Sequence, residues 1–141
     1  METSSEAGII ADTSGLVSLF SPDDRNHAES VKAAATRKRG ILILTAVFVE
    51  FVNVMGRKAG HSVELAAIPE LTPPLFILNE PSHLPNMPAF KKFETLPNAV
   101  SFTDCIVMAV ADDYGTKDIF GFDKQFVDAG YHRIEPATEW K

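Results

Sequence analysis

Gly8-Ile9-Ile10-Ala11-Asp12-Thr13-Ser14-Gly15 is the stretch from which the rest of the chain becomes readable. Its apolar run stops at an acid, which reads as a short buried strand ending at Asp12. Thr13-Ser14-Gly15 then turns the chain into a short helix, Leu16 to Phe20, which Ser21-Pro22-Asp23-Asp24 breaks.

The same alternation recurs downstream. Residues 27–39 read as a helix with a basic C-terminal end, closed by Gly40, and Ile41-Leu42-Ile43-Leu44 as a second strand. Thr45 is placed to cap a helix that runs to about Ala59 and stops at Gly60. On that helix Phe48, Phe51, Val52 and Met55 follow a core-facing spacing, which leaves Glu50, Asn53 and Arg57 on roughly the opposite side. A short helix over 62–68 precedes Pro69, and Leu75-Phe76-Ile77-Leu78 is a third strand. Between Glu80 and Pro97 four prolines obscure the pattern. A helix over about Ala89–Leu96 is expected there, with Phe90, Phe93 and Leu96 inward. Residues 102–114 read as a helix started by Ser101 and stopped by Gly115. Ile119-Phe120-Gly121-Phe122 is a fourth strand ending at Asp123, a short helix begins near Lys124, and His132-Arg133-Ile134 offers a fifth strand. Strands alternating with helices predict one α/β domain over 1–141, its parallel sheet of four to five strands covered on both faces. In such sheets, sites form beyond the carboxyl ends of the strands.

The 141 residues suit a single domain, and 45% hydrophobic with 23% charged residues is a globular balance. No apolar run approaches the ~20 residues of a spanning helix. The polar, acidic start Met1-Glu2-Thr3-Ser4-Ser5-Glu6 is not expected to be a secretory signal. A single cysteine, Cys105, excludes an internal disulfide and fits a cytoplasmic setting. With 13 basic and 19 acidic residues the net charge is −6, the wrong sign for a general nucleic-acid coat. Binding of an anionic substrate would then be local and metal-assisted. Arg37-Lys38-Arg39, Arg57-Lys58 and Lys91-Lys92 are basic spots that read first as solvated helix ends.

Asp12, Glu50, Asp104 and Asp123 can converge at one rim of the sheet. Asp12 and Asp123 each follow a strand, while Glu50 and Asp104 lie early in helices. Each has a plainer reading: Asp12 as a turn acid, Glu50 as an exposed helix residue, Asp123 as a helix cap, and Asp104 as the third residue of the capping box Ser101-Phe102-Thr103-Asp104. Together they raise a different question. Clustered carboxylates oppose one another's ionisation, so a fold that gathers them usually does so to hold divalent metal. Mg²⁺ and Mn²⁺ favour such oxygen ligands, and one or two ions there would serve phosphodiester chemistry.

Four segments carry a family resemblance. Ile9-Ile10-Ala11-Asp12-Thr13-Ser14 resembles the opening strand and first acid of PIN domains. Thr45-Ala46-Val47-Phe48-Val49-Glu50-Phe51-Val52-Asn53 resembles the helix that bears their second. Ser101-Phe102-Thr103-Asp104, with the apolar helix ending in Tyr114-Gly115, is similar to the segment holding the third, and Ile119 to Phe126 to the strand and acid that close the site. Order and length are similar to stand-alone VapC-type toxins of toxin–antitoxin pairs. The resemblance implies a three-layer α/β/α fold, an endoribonuclease that needs Mg²⁺ or Mn²⁺, RNA as substrate, a small antitoxin as partner and commonly a homodimer. It implies Asp12 and Asp104 as metal ligands, with Glu50 and Asp123 completing the cluster directly or through water. Thr13, Ser14 and Ser101 become candidates to orient those ligands, and Asn53 and Arg57 to face RNA. A chromosomal RNA-processing nuclease and a non-catalytic PIN-like binding module stay open as alternatives.

Other chemistry is thinly represented. His27, His61, His83 and His132 lack metal-ligand spacing. Asp112-Asp113 reads as a solvated helix end, Cys105 as a small buried hydrophobe, and Trp140 as an anchor for the tail or a partner. An aspartate-nucleophile phosphatase would need a second acid where Ser14 stands. A receiver domain would need paired acids near the end of the first strand. Neither GxGxxG nor a Walker A loop is present.

Overall fold

The computed structural model describes residues 7–36, 40–71, 76–79 and 86–137. Strands β1 (Ala7–Ala11), β2 (Gly40–Leu44), β3 (Phe76–Asn79) and β4 (Ile119–Phe120) form one sheet in the order β3-β2-β1-β4. All pairings are parallel, with Ile10 opposite both Leu42 and Ile119. Every residue of β2 is buried, as expected where helices cover both faces. The chain winds outward from β1 through β2 to β3 and then returns to β1's other side as β4. The order therefore reverses beside β1, where open α/β sheets leave a crevice at the strand ends.

Helices α1 (Thr13–Phe20), α2 (His27–Thr36), α3 (Thr45–Ala59) and α4 (His61–Ala67) pack on one another in one layer. In the other layer, α5 (Asn86–Thr95) packs on α6 (Phe102–Tyr114), which lies against β1. A 3-10 turn over Ile68–Glu70 and the short α7 (Lys124–Asp128) complete the described elements. The three-layer α/β/α architecture is thus the expected one.

Several local expectations shift. The fully buried stripe of α3 is Val47, Phe51 and Met55, with Phe48 and Val52 only half-buried beside it. The α3 N-cap is Leu44 rather than Thr45, which is already helical. Helix α1 starts at Thr13, three residues before Leu16. Helix α2 is described to Thr36, and Gly40 opens β2 opposite Ala7 instead of closing the helix. The basic spot at 37–39, Leu75, His83 and Trp140 lie outside the described residues.

The clearest correction falls on α5. Phe90 and Phe93 are each 46% exposed, not inward. The less exposed positions are Ala89, Lys92 and Leu96, and Lys92 reaches across to Asp112 of α6 at 2.9 Å. Phe93 meets Phe102 edge-on at 5.4 Å between ring centres. Asp112, expected as a merely solvated helix end, accepts from both Lys92 and the Tyr131 hydroxyl. The fifth strand is reduced to one parallel bridge, Asp118 to His132, though backbone bonds continue through Ile134.

Candidate active site

Three carboxylates meet at the crevice beside β1. Oxygen atoms of Asp12, Asp104 and Asp123 all lie within 4.8 Å of one another. They come from segments far apart in sequence, and each is delivered by a local device.

Asp12 follows β1 directly and caps α1. Its Oδ2 accepts from the backbone N–H of Ser14 at 3.2 Å and from the Ser14 hydroxyl at 2.9 Å. Asp104 is set by a reciprocal capping box: its N–H donates to Ser101 Oγ at 3.1 Å, and its Oδ2 accepts from the Ser101 N–H at 3.1 Å. The plain reading of this acid and the functional one therefore coincide, since the cap itself aims the carboxylate. Asp123 follows β4 after Gly121 and Phe122 and caps α7 by backbone geometry alone, without a side-chain hydrogen bond.

Glu50, expected in the same cluster, is not one of the three that converge. It is exposed on α3, lines the same cleft and accepts a hydrogen bond from Thr13 Oγ1 at 2.7 Å. Thr13, Ser14 and Ser101 thus each hold one of the acids. Ser14 does more, because its hydroxyl also accepts from the Phe122 N–H at 3.0 Å. Gly121 makes this approach possible: a Cβ there would sit 2.8 Å from Asp12 Cβ and 3.1 Å from Ser14 Oγ.

Burial and crowding act on the acids together. Asp12 is only 3% exposed, and its pKa is pushed up to about 7, first by burial and then by the charge of Asp123. Burial also raises Asp104, with Glu50 adding to the effect and the Ser101 bonds opposing it. Asp123 is raised by burial and by Asp104 and Glu50, against which the Arg133 charge works.

The cleft is about 490 Å³. Asn53 and Arg57 do not line it, although both are exposed on α3. It is lined instead by Ser18 of α1 and by Asp24, Arg25 and Asn26 of the α1–α2 connection. From sequence alone, Ser21-Pro22-Asp23-Asp24 reads only as a helix breaker. The available signal was the acid itself: Asp24 Oδ1 accepts from Ser18 Oγ and from the Asn26 N–H, both at 2.8 Å, and so shapes the turn.

The PIN domain profile matches residues 9–130. The chain belongs to the PIN domain family. No curated protein matches it by sequence. Among solved structures, VapC20 of Mycobacterium tuberculosis, a sarcin-ricin loop cleaving toxin, is similar with a TM-score of 0.81 at 22% identity, covering 91% of this chain and 99% of that one. A likeness at this identity shows a shared fold. This PIN domain presents an all-carboxylate donor set in a partly water-accessible cleft, and that chemistry fits Mg²⁺ or Mn²⁺ and not the softer metals.

Proposed function

We propose that this PIN domain is a cytoplasmic endoribonuclease that uses Mg²⁺ or Mn²⁺ to cleave RNA, and that it is the toxin of a toxin–antitoxin pair. The observation that carries the catalytic part is the convergence of Asp12, Asp104 and Asp123 within 4.8 Å at the strand ends. An acid whose pKa is driven to about 7, first by burial and then by the charge of Asp123, is costly to ionise unless a cation offsets it. The toxin part is supported by the likeness in fold to VapC20, itself a sarcin-ricin loop cleaving toxin.

In this reading Asp12, Asp104 and Asp123 hold the ion, and Glu50 acts at the cleft wall on an outer ligand or the attacking water. Bound there, the ion would supply Lewis-acid polarisation of the scissile phosphate and an activated water at neutral pH. Ser14, Ser101 and Thr13 keep the carboxylates in fixed directions, so little reorganisation accompanies the reaction. Arg25 and Asn26, which line the same cleft, offer the RNA polar contacts. A small antitoxin would block the cleft by presenting Arg or Lys to the carboxylates, and the enzyme would work as a homodimer.

The test is RNA cleavage by purified protein, free of host nuclease, with Mn²⁺ or with chelator. Asp12→Asn and Asp104→Asn each keep shape and remove ligand charge. Each should lower the rate by at least ~10²-fold, the scale of losing one transition-state contact. Glu50→Gln and Asp123→Asn should also reduce it. Unchanged cleavage by Asp12→Asn sinks the assignment.

A further inference from the structure

Residues 132–134 lie past the end of the family match, and they close on the strand that delivers Asp123. The His132 N–H donates to Lys117 O at 2.8 Å, its carbonyl accepts from Ile119 at 3.0 Å, and the Ile134 N–H donates to Gly121 O at 2.9 Å. These bonds carry Arg133 to the turn before Asp123, where its Nη1 donates to the Phe122 carbonyl at 2.9 Å. The Phe122 N–H is already held by Ser14, whose hydroxyl in turn holds Asp12. Phe122 is therefore pinned through both of its backbone polar groups.

Asp123 has no such support of its own, since its side chain makes no capping bond. The direction of its carboxylate is inherited from the peptide that precedes it. Arg133 Nε is also the one buried side-chain polar atom without a partner among the described residues. Leaving a cationic donor unpaired costs stability, and exceptions of this kind call for a reason beyond packing.

We propose that Arg133 is a positioning residue for the third metal-binding carboxylate: by holding the Phe122 carbonyl it fixes how Asp123 meets Asp12 and Asp104. It touches neither the ion nor RNA. The proposal rests on the metal-dependent nuclease reading, and Arg is suited to it because its rigid planar fork keeps one donor aimed where a lysine ammonium would wander.

The experiment is calorimetric titration of Mn²⁺ into wild type, Arg133→Met, Asp123→Asn and the double variant, with steady-state RNA cleavage and melting on the same samples. Arg133→Met keeps the apolar stem and loses the donor. It should bind Mn²⁺ ~10–100-fold more weakly, the usual cost of removing a group that orients a metal ligand. The loss in cleavage should fall on kcat with KM little changed. In the Asp123→Asn background the same substitution should cost almost nothing in affinity, an outcome that general loosening would not give. Arg133→Lys should recover part of the loss. If Arg133→Met does not fold, Arg133→Lys is measured through the same cycle, and it should bind Mn²⁺ more weakly only when Asp123 is present. Mn²⁺ affinity equal to wild type, or an equal loss with and without Asp123, overturns the proposal. Wild type that neither binds Mn²⁺ nor cleaves RNA would instead fail the nuclease reading beneath it.

Discussion

At Asp12 the chain puts a carboxylate where water barely reaches, beside two more of its kind. Folding there raises the proton affinity of the acid, from 3.8 to about 7. The native state then holds more protons than the unfolded one, so stability falls as pH rises across that window. Metal-free protein should accordingly melt at progressively lower temperature from about pH 4 to about pH 7, relative to Asp12→Asn, which cannot ionise there. Saturating Mn²⁺ should cancel the difference at the upper end, because it binds the charged, folded cluster. Parallel melting curves of wild type and Asp12→Asn across this range would contradict the assigned burial. Gly121 tests the same contact from the other side. Gly121→Ala would drive a methyl against Asp12 Cβ and Ser14 Oγ. A displacement of that order should lower cleavage by ~10²-fold while the protein still folds. Retained fold with full activity would show that the Asp12–Ser14 geometry has slack.

Helix α6 separates stabilising from orienting roles, because its two ends are built differently. Ser101 caps the N-terminus and aims Asp104, whereas Gly115 takes a left-handed φ of 74° at the C-terminus, remote from the cleft. Ser101→Ala should cost about 1 kcal/mol as a lost cap and also weaken Mn²⁺ binding. Gly115→Ala should cost about 1 kcal/mol through left-handed strain and leave Mn²⁺ binding unchanged. Urea denaturation with calorimetry distinguishes them, and equal metal affinities in the two variants would remove Ser101 from the site. The same helix shows why part of the site was legible. Ser101-x-x-Asp104 is a local signature, and an apolar run stopping at Asp12 is another, so both acids could be located from neighbours in sequence. Glu50 was placed on the correct face of α3, but the gap between it and the other three depends on tertiary packing. Phe90 and Phe93 were misread because helical spacing defines a stripe without saying which stripe faces inward. The contacts that reveal it, such as Lys92 to Asp112, join residues on different helices. Asp24 marks the α1–α2 turn in sequence, but only folding brings Arg25 and Asn26 of that turn to the cleft that Glu50 lines.

For the whole molecule, the parallel order β3-β2-β1-β4 explains why acids so distant in sequence meet. The return from β3 to β4 puts the end of β4 beside the end of β1, and α6 starts over the same rim. An acidic chain of charge −6 has little general attraction for RNA, so its affinity should depend on the divalent ion at that rim. The toxin reading is checked by expressing the chain with and without its adjacent gene product. A small copurifying partner and growth arrest without it are expected, and the absence of both contradicts a toxin role. More narrowly, the fold is expected to gather these carboxylates in order to hold metal. A crystal grown with Mn²⁺ and measured at an anomalous wavelength tests it most directly. One or two peaks should lie about 2 Å from oxygens of Asp12, Asp104 and Asp123, and they should vanish in the Asp12→Asn, Asp104→Asn double variant. Anomalous density elsewhere with none in this cleft, or density there that survives the double substitution, would contradict it.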